Sequence, residues 1–316
     1  MKIVTLTLNP ALDKSSSIAR LIPEQKLRTA AMQTDAGGGG INVSKGIAKL
    51  GGQSVAIFPI GGHTGEQLKQ LVEAAGITTA VVPFSGETRE NLSITDQSTG
   101  LQYRFTMPGV ALNRQEAEAC LEMIRQQKPD ILVASGSLPP GLPDTFYKEV
   151  AVVAKSLGAR FILDTSGKPL QHAADEGLFL LKPNLGELSA MAGEEELALN
   201  QVDDAALKII EQGKCEVLVV SLGPQGALLV TKNGFEHVPA PMVKKLSTVG
   251  AGDSMVAGMV WALSQGKSFP EMVQTGVACG SAATMNLGTQ LFDQAEALKL
   301  LHWIQKYGDR YRITDF

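Results

Sequence analysis

From Asp130 onward the sequence alternates short apolar runs with amphipathic segments, and that rhythm restricts the chain to few architectures. Runs at 131–134, 160–163, 179–181 and 217–220 are nearly continuous in aliphatic and aromatic residues. Segments at 144–157 and 203–211 carry helical periodicity between them. Strands apolar on both faces, joined by crossover helices, form a parallel sheet covered on both sides. The first half joins this pattern with a strand at 3–8, broken by Asn9-Pro10, and a helix at 41–50 stopped by Gly51-Gly52. A strand at 54–59 and a helix at 66–75 follow. The last third reads as three helices, at 251–265, 270–285 and 294–307.

Four pieces break the rhythm. Segments 16–19 and 26–34 read as short exposed strands, and 89–95 with 103–107 as a hairpin around Ser98-Thr99-Gly100. They are expected to form a small β lid, from about 14–35 and 87–108, on a single α/β domain spanning 1–316. Hydrophobic residues make up 44% and charged residues 19% of the chain, which suits a sizeable core. A net charge of -4 argues against general binding to nucleic acid or to anionic membranes. Segment 272–292 is uncharged, but its Gln, Thr, Ser, Asn and Gly content does not suit a membrane span. Cys120, Cys215 and Cys279 are too widely spaced for a disulfide framework or a metal site. The chain opens as a strand rather than as a signal peptide. A cytoplasmic location is expected.

The chemistry is concentrated in Ser247-Thr-Val-Gly-Ala-Gly-Asp-Ser-Met-Val256. Gly250, Ala251 and Gly252 let backbone amides approach an anion, and the apolar run after Asp253 reads as a buried helix. The amides of a helix N-terminus attract negative charge. Asp253 therefore belongs close to the reacting atoms, and a base beside an anion hole suits phosphoryl transfer. Taken alone, the motif is weak and reads more readily as an ordinary helix cap. The sequence contains no Gly-x-x-x-x-Gly-Lys-Ser/Thr, which excludes a P-loop kinase. It also has no Gly-x-Gly-x-x-Gly after the first strand, which argues against a dehydrogenase.

Several further motifs stand in order: Thr7-Leu-Asn-Pro-Ala-Leu-Asp13, Gly37-Gly-Gly-Gly-Ile-Asn42, Lys182-Pro-Asn-x-x-Glu187 and Ser221-Leu-Gly-Pro-Gln-Gly226. Together with 247–255 they resemble the ribokinase-like sugar kinases of the phosphofructokinase B group over essentially the whole chain. The match is nearest to the type-II 6-phosphofructokinase branch. The 1-phosphofructokinases and tagatose-6-phosphate kinases share much of the pattern but usually carry Gly-Gly-Lys-Gly where this chain has four glycines.

The resemblance implies a ribokinase-like fold, a central mostly parallel sheet with helices on both faces and a small β-sheet lid. It also implies ATP-dependent phosphorylation of fructose 6-phosphate at the 1-hydroxyl. Asp253 would be the base, ionised at neutral pH if it kept an ordinary pKa of about 3.9. Gly250, Ala251 and Gly252 would form the anion hole. Asp13, Gly38, Gly39, Asn42 and Ser137 would hold the sugar. Lys26, Arg28, Arg89 and Arg104 would meet its phosphate, with Arg89 the principal anchor because arginine suits bidentate phosphate contact. ATP would contact Lys182, Asn184, Ser221, Gly223, Pro224, Gly226 and Thr248, with Ala278 and Asn286 lining the adenine pocket. Glu187 and Asn184 would hold Mg²⁺ through water.

Ser247, Val249, Ala283, Asn286 and Gly288 match positions that could supply oxygens to a potassium ion, with Gln290 in their neighbourhood; the same small polar segment could instead pack against the nucleotide. Ser247 replaces the Asp usual in the family, which leaves backbone carbonyls as the main source of oxygen. The expected assembly is a homodimer through the lid. The rival readings are 1-phosphofructokinase, tagatose-6-phosphate kinase and a silent sugar-phosphate-binding regulator.

Overall fold

The structure, a computed structural model, describes residues 1–286 and 290–313. Within them the chain builds a nine-stranded sheet and a separate four-stranded one. The large sheet contains β1 (Ile3–Leu6), β4 (Val55–Ile60), β5 (Thr78–Pro83), β8 (Ile131–Ser135), β9 (Arg160–Asp164) and β10 (Leu178–Leu181). It is completed by β11 (Cys215–Ser221), β12 (Ala227–Thr231) and β13 (Gly234–Val238). The strand order is β13-β12-β11-β10-β9-β8-β1-β4-β5, parallel except where β12 and β13 pair antiparallel at one edge. Alternation along β8 explains the continuous apolar runs: Leu132 and Ala134 enter one core cluster, Ile131 and Val133 the other. Both faces are therefore buried, as the sequence pattern requires.

The first cluster lies under helices α3 (Arg114–Gln127), α4 (Phe146–Ser156), α5 (Gly167–Ala174) and α7 (Val202–Glu211). On the other face are α1 (Gly39–Lys49), α8 (Ala251–Ser264) and α9 (Phe269–Ala283), with α10 (Gln294–Tyr307) beside them. Helix α8 is apolar almost all round because it is sandwiched between α1 and α9. Gly258 and Gly276 permit that contact: a Cβ at Gly258 would lie 2.8 Å from the Thr275 carbonyl oxygen. Helix α2 (Gly62–Ala74) packs beneath the second sheet, and α6 (Leu185–Ala192) follows β10.

The second sheet runs β3-β2-β6-β7, from β3 (Gln33–Gly37), β2 (Ala11–Ile18), β6 (Arg89–Asp96) and β7 (Gln102–Phe105). The hairpin β6–β7 is antiparallel, whereas β2–β6 is parallel. Two expectations change here. The strand expected at 16–19 begins at Ala11, so Asp13 lies inside β2; Pro10 directs the chain from one sheet into the other. The expected strand at 26–34 forms only at its end and runs into the glycines, and Lys26 and Arg28 lie in an exposed connection. Strand β5 at one edge of the large sheet, β13 at the other and β12 next to it were not recognised from the sequence. Helix α2 starts one turn before the expected residue 66, within Gly62-His-Thr-Gly65, which reads as a loop. No described helix is long and apolar enough to cross a membrane.

Candidate active site

The strand order reverses at β1, with β4 and β5 on one side and β8 to β11 on the other. Ligands of open parallel sheets bind outside the carboxyl ends of strands at such a point. Ser135 ends β8 and Asp164 ends β9, paired in register, and Lys182 follows β10. The glycine run packs helix α1 against this edge. A Cβ on Gly39 would come within 2.2 Å of Ser135 Oγ, and one on Gly40 within 2.6 Å of the Leu6 carbonyl oxygen. Thr7 Oγ1 accepts the Ile41 amide at 2.9 Å and fixes the start of α1. Gly38, at φ 120, supplies the turn into the helix.

Asp253 occupies the first turn of α8, behind Gly250 at φ 74. Asn42 Nδ2 donates to its Oδ2 at 2.9 Å, and Ser135 Oγ donates to Oδ1 at 3.3 Å. The amides of Gly252 and Asp253 have no acceptor among the described residues, as expected for a first helical turn. Lys182, 7% exposed, lies 3.2 Å from Asp164 Oδ1. A Cβ on Gly252 would lie 3.7 Å from Lys182 Nζ, so this ammonium faces the same turn.

The expectation of an ordinary pKa for Asp253 is corrected. Burial, and then the Asp164 carboxylate, push it up to about 6, against the opposing pull of Asn42, Lys182 and Ser135. Burial alone would lower the Lys182 pKa, but Asp164, with Glu187 and Asp253, raises it overall, which keeps it cationic. Asp164 and Ser135 were not singled out from the sequence. The rule that sites collect at the carboxyl ends of parallel strands would have found both.

Asn184 and Glu187 form a capping box on α6: each side chain accepts the other's backbone amide at 2.9 Å. Glu187 Oε2 is thereby engaged, leaving Oε1, and burial raises the Glu187 pKa despite Lys182. No cluster of three His, Cys, Asp or Glu side chains that could enclose a metal occurs among the described residues. This donor set fits a hard cation that keeps waters and phosphate oxygens as most of its ligands. Ser221 pairs with Asn184 as an isolated parallel bridge, and its amide donates to the Pro183 carbonyl at 2.9 Å. Gly223 and Pro224 begin a short 3₁₀ turn closed by Gly226 at φ 97.

Register divides the second sheet into two faces. Asp13, Asn91, Ser93 and Arg104 share one face; Leu92, Ile94, Tyr103 and Phe105 share the other. Asn91 Nδ2 donates to Asp13 Oδ1 at 2.8 Å. Gly37 is bare where a Cβ would strike the Asp13 carboxylate. Burial raises the Asp13 pKa against Asn91, Lys45, Arg89 and Arg104. Lys45, also missed from the sequence, donates to the Ala36 carbonyl at 3.1 Å and joins β3 to α1.

The expectation of Arg89 as a free phosphate anchor changes. Its guanidinium donates to the carbonyls of Asn9 at 2.8 Å, Met107 at 2.6 Å and Pro10 at 3.4 Å. Arg104 is exposed and its side chain makes no hydrogen bond among the described residues. Ser137 accepts from Asn9 Nδ2 at 3.2 Å. Lys26, Arg28 and Thr248 are exposed. Ala278, expected beside adenine, is buried with Met255 and Val256, because α8 and α9 pack through small residues. Leu246 and Ser247 donate their amides to the Thr284 carbonyl, which brings Ser247 and Val249 to the end of α9 beside Ala283 and Asn286. Gly288 lies outside the described residues. Gln290 is exposed.

The model of the pfkB family of carbohydrate kinases matches residues 6–296. The chain is 44% identical over 308 residues to ATP-dependent 6-phosphofructokinase isozyme 2 of Escherichia coli, covering 97% of this chain and 100% of that protein. It is 34% identical over 295 residues to a 1-phosphofructokinase of Bacillus subtilis, covering 92% and 96%. Its fold superposes on phosphofructokinase-2 of Escherichia coli in complex with potassium, with a TM-score of 0.93, over 96% of this chain and 99% of that one. The same Escherichia coli protein has also been solved with fructose-6-phosphate and in a tetrameric inhibited form.

Proposed function

The chain belongs to the pfkB family of carbohydrate kinases, and from that premise we propose that it transfers the γ-phosphoryl group of ATP to the 1-hydroxyl of fructose 6-phosphate, giving fructose 1,6-bisphosphate. The observation that carries this reading is Asp253, held by Asn42 and Ser135 in the first turn of α8 beside unpaired amides. With a pKa near 6, Asp253 is largely ionised at neutral pH and accepts a proton better than an exposed aspartate does. It takes the proton of the attacking hydroxyl. The amides of the Gly250–Gly252 turn and the Lys182 ammonium stabilise charge on the transferring group. Asp13, with the bare backbone at Gly38 and Gly39 and with Asn42 and Ser137, orients the sugar. Arg104 is the free cation for the 6-phosphate, Lys26 and Arg28 add to the positive edge, and Arg89 positions the lid.

Lys182, Asn184, Ser221, Gly223, Pro224, Gly226 and Thr248 border the nucleotide, with Asn286 nearby. Mg²⁺, when bound, neutralises the phosphates, and Glu187 Oε1 with Asn184 would hold its waters. A potassium ion is assigned to the carbonyls around Ser247, Val249, Ala283 and Asn286. The domain is read as one unit, 1–316, with the second sheet as its lid, and the assembly as a homodimer through the apolar lid face. Three free, buried cysteines suit a reducing compartment, and the cytoplasm is the assigned location. An assay coupling ADP release to fructose 6-phosphate, fructose 1-phosphate and tagatose 6-phosphate tests the reading. The highest kcat/KM is expected for fructose 6-phosphate; a preference for either of the others would replace it.

A further inference from the structure

His237, on β13 opposite Leu228, is 3% exposed and uses both ring nitrogens. Nε2 lies 2.7 Å from the Gln225 carbonyl oxygen, and Nδ1 lies 3.0 Å from the Ile313 amide nitrogen. A carbonyl oxygen can only accept and a backbone amide can only donate. The ring is therefore neutral, with its hydrogen on Nε2 and its lone pair on Nδ1. Burial lowers the His237 pKa, and Arg312 adds to that, against the Gln225 bond.

Each side of this bridge has a distinct character. Gln225 ends the 3₁₀ turn after β11, and Ser221, the last residue of β11, bridges to Asn184. That turn is closed by three backbone bonds: the Gly226 amide reaches the Gly223 carbonyl at 3.1 Å, the Gln225 amide the Leu222 carbonyl at 3.2 Å, and the Leu222 amide the Gly226 carbonyl at 2.8 Å. The segment after α10 is held more firmly. Tyr311 stacks on Trp303 at 5.4 Å, and Arg312 pairs with Glu236 at 2.7 Å and with Asp309 at 2.9 Å.

We infer that His237 is a positioning residue for the nucleotide: the Ile313 amide selects the Nε2–H tautomer, and that hydrogen holds the Gly223–Gly226 turn in the shape that receives ATP. The inference rests on assigning this turn to the nucleotide. It makes Ile313, in the segment after α10, part of what shapes the ATP site.

Ile313→Pro deletes one N–H and little else, and Arg312 at φ -65, ψ 136 already has the extended backbone that precedes proline. This variant should raise the KM for ATP about 3- to 10-fold, as for one lost hydrogen bond, with kcat and the KM for fructose 6-phosphate unchanged. His237→Gln keeps a donor near the Nε2 position and has no tautomer to select. It should stay close to the parent, and adding Ile313→Pro to it should change nothing further. His237→Asn, which keeps the acceptor and loses the donor, should resemble Ile313→Pro. An unchanged KM for ATP in Ile313→Pro, or an equal rise in both backgrounds, overturns the proposal. Failure of the assigned kinase activity is separable, because ¹⁵N shifts of the His237 ring and exchange of the Gly226 amide need no substrate. A hydrogen on Nδ1, or equal Gly226 exchange in the parent and Ile313→Pro, would also overturn it.

Discussion

Asp253 holds its proton more tightly in the folded protein than it would in an unfolded chain. An unfolded aspartate titrates near 3.9 and this one near 6, so between about pH 4 and pH 6 the native state binds more protons. Stability therefore falls as pH rises through that window, and the ionised carboxylate is a standing cost at neutral pH. Activity moves the other way, because only the ionised form is a base. The expected kcat profile rises with an apparent pKa of about 6, which initial rates from pH 5 to 8 would measure. Asp253→Asn should lose roughly two to four orders of magnitude in kcat, with substrate affinity retained. The same variant should melt at a higher temperature at pH 7. An asparagine accepts from Asn42 and donates to Ser135 without a buried charge, so a lower melting temperature would contradict the burial account. The motif around Asp253 was legible in the sequence; its proton affinity was not, since Asp164 and Ser135 arrive from strands about 90 and 120 residues earlier.

At the scale of elements, those buried on two sides were the most legible. Strands β8 to β11 and helix α8 declare themselves because their environment demands continuous apolar residues. Edge strands β5 and β13 are covered less completely, and β2 and β6 carry Asp13 and Asn91 on a polar face, so neither pattern was diagnostic. The approach of α1 to β8 leaves room for hydrogen alone at Gly39. Gly39→Ala would press its methyl against Ser135, disturb the Ser135–Asp253 bond and cost about 1–3 kcal/mol of stability. Its kcat should fall at least tenfold while the KM for ATP changes little, as steady-state kinetics would report. The loop before α8 is docked on the last turn of α9 through the Thr284 carbonyl. If potassium orders that junction, replacing it with tetramethylammonium at constant ionic strength and saturating Mg²⁺ should lower kcat severalfold. An unchanged rate would remove the ion site and leave the role of Asp253 intact.

At the scale of the molecule, the small sheet presents Tyr103 and Phe105 outward, 39% and 48% exposed, on an edge strand beside Leu101 and Met107. An apolar edge of this kind invites pairing with a second copy. Phe105→Asp should shift the sedimentation coefficient to that of a monomer and raise the KM for fructose 6-phosphate, because Arg104 lies next to it in the same strand. A dimer that survives the charge would place the contact elsewhere. In the proposed reading, base and substrate grip belong to different sheets: Asp253 to the body, Asp13 and Arg104 to the lid. The chain passes between the two sheets four times, at Pro10, at Gly38, at 84–88 and at 106–113. On that reading the molecule would gauge its acceptor by length. Water at the carboxylate would gain nothing from the second sheet, whereas a phosphorylated hexose would meet both sheets at once, which would favour sugar phosphorylation over wasteful hydrolysis of ATP.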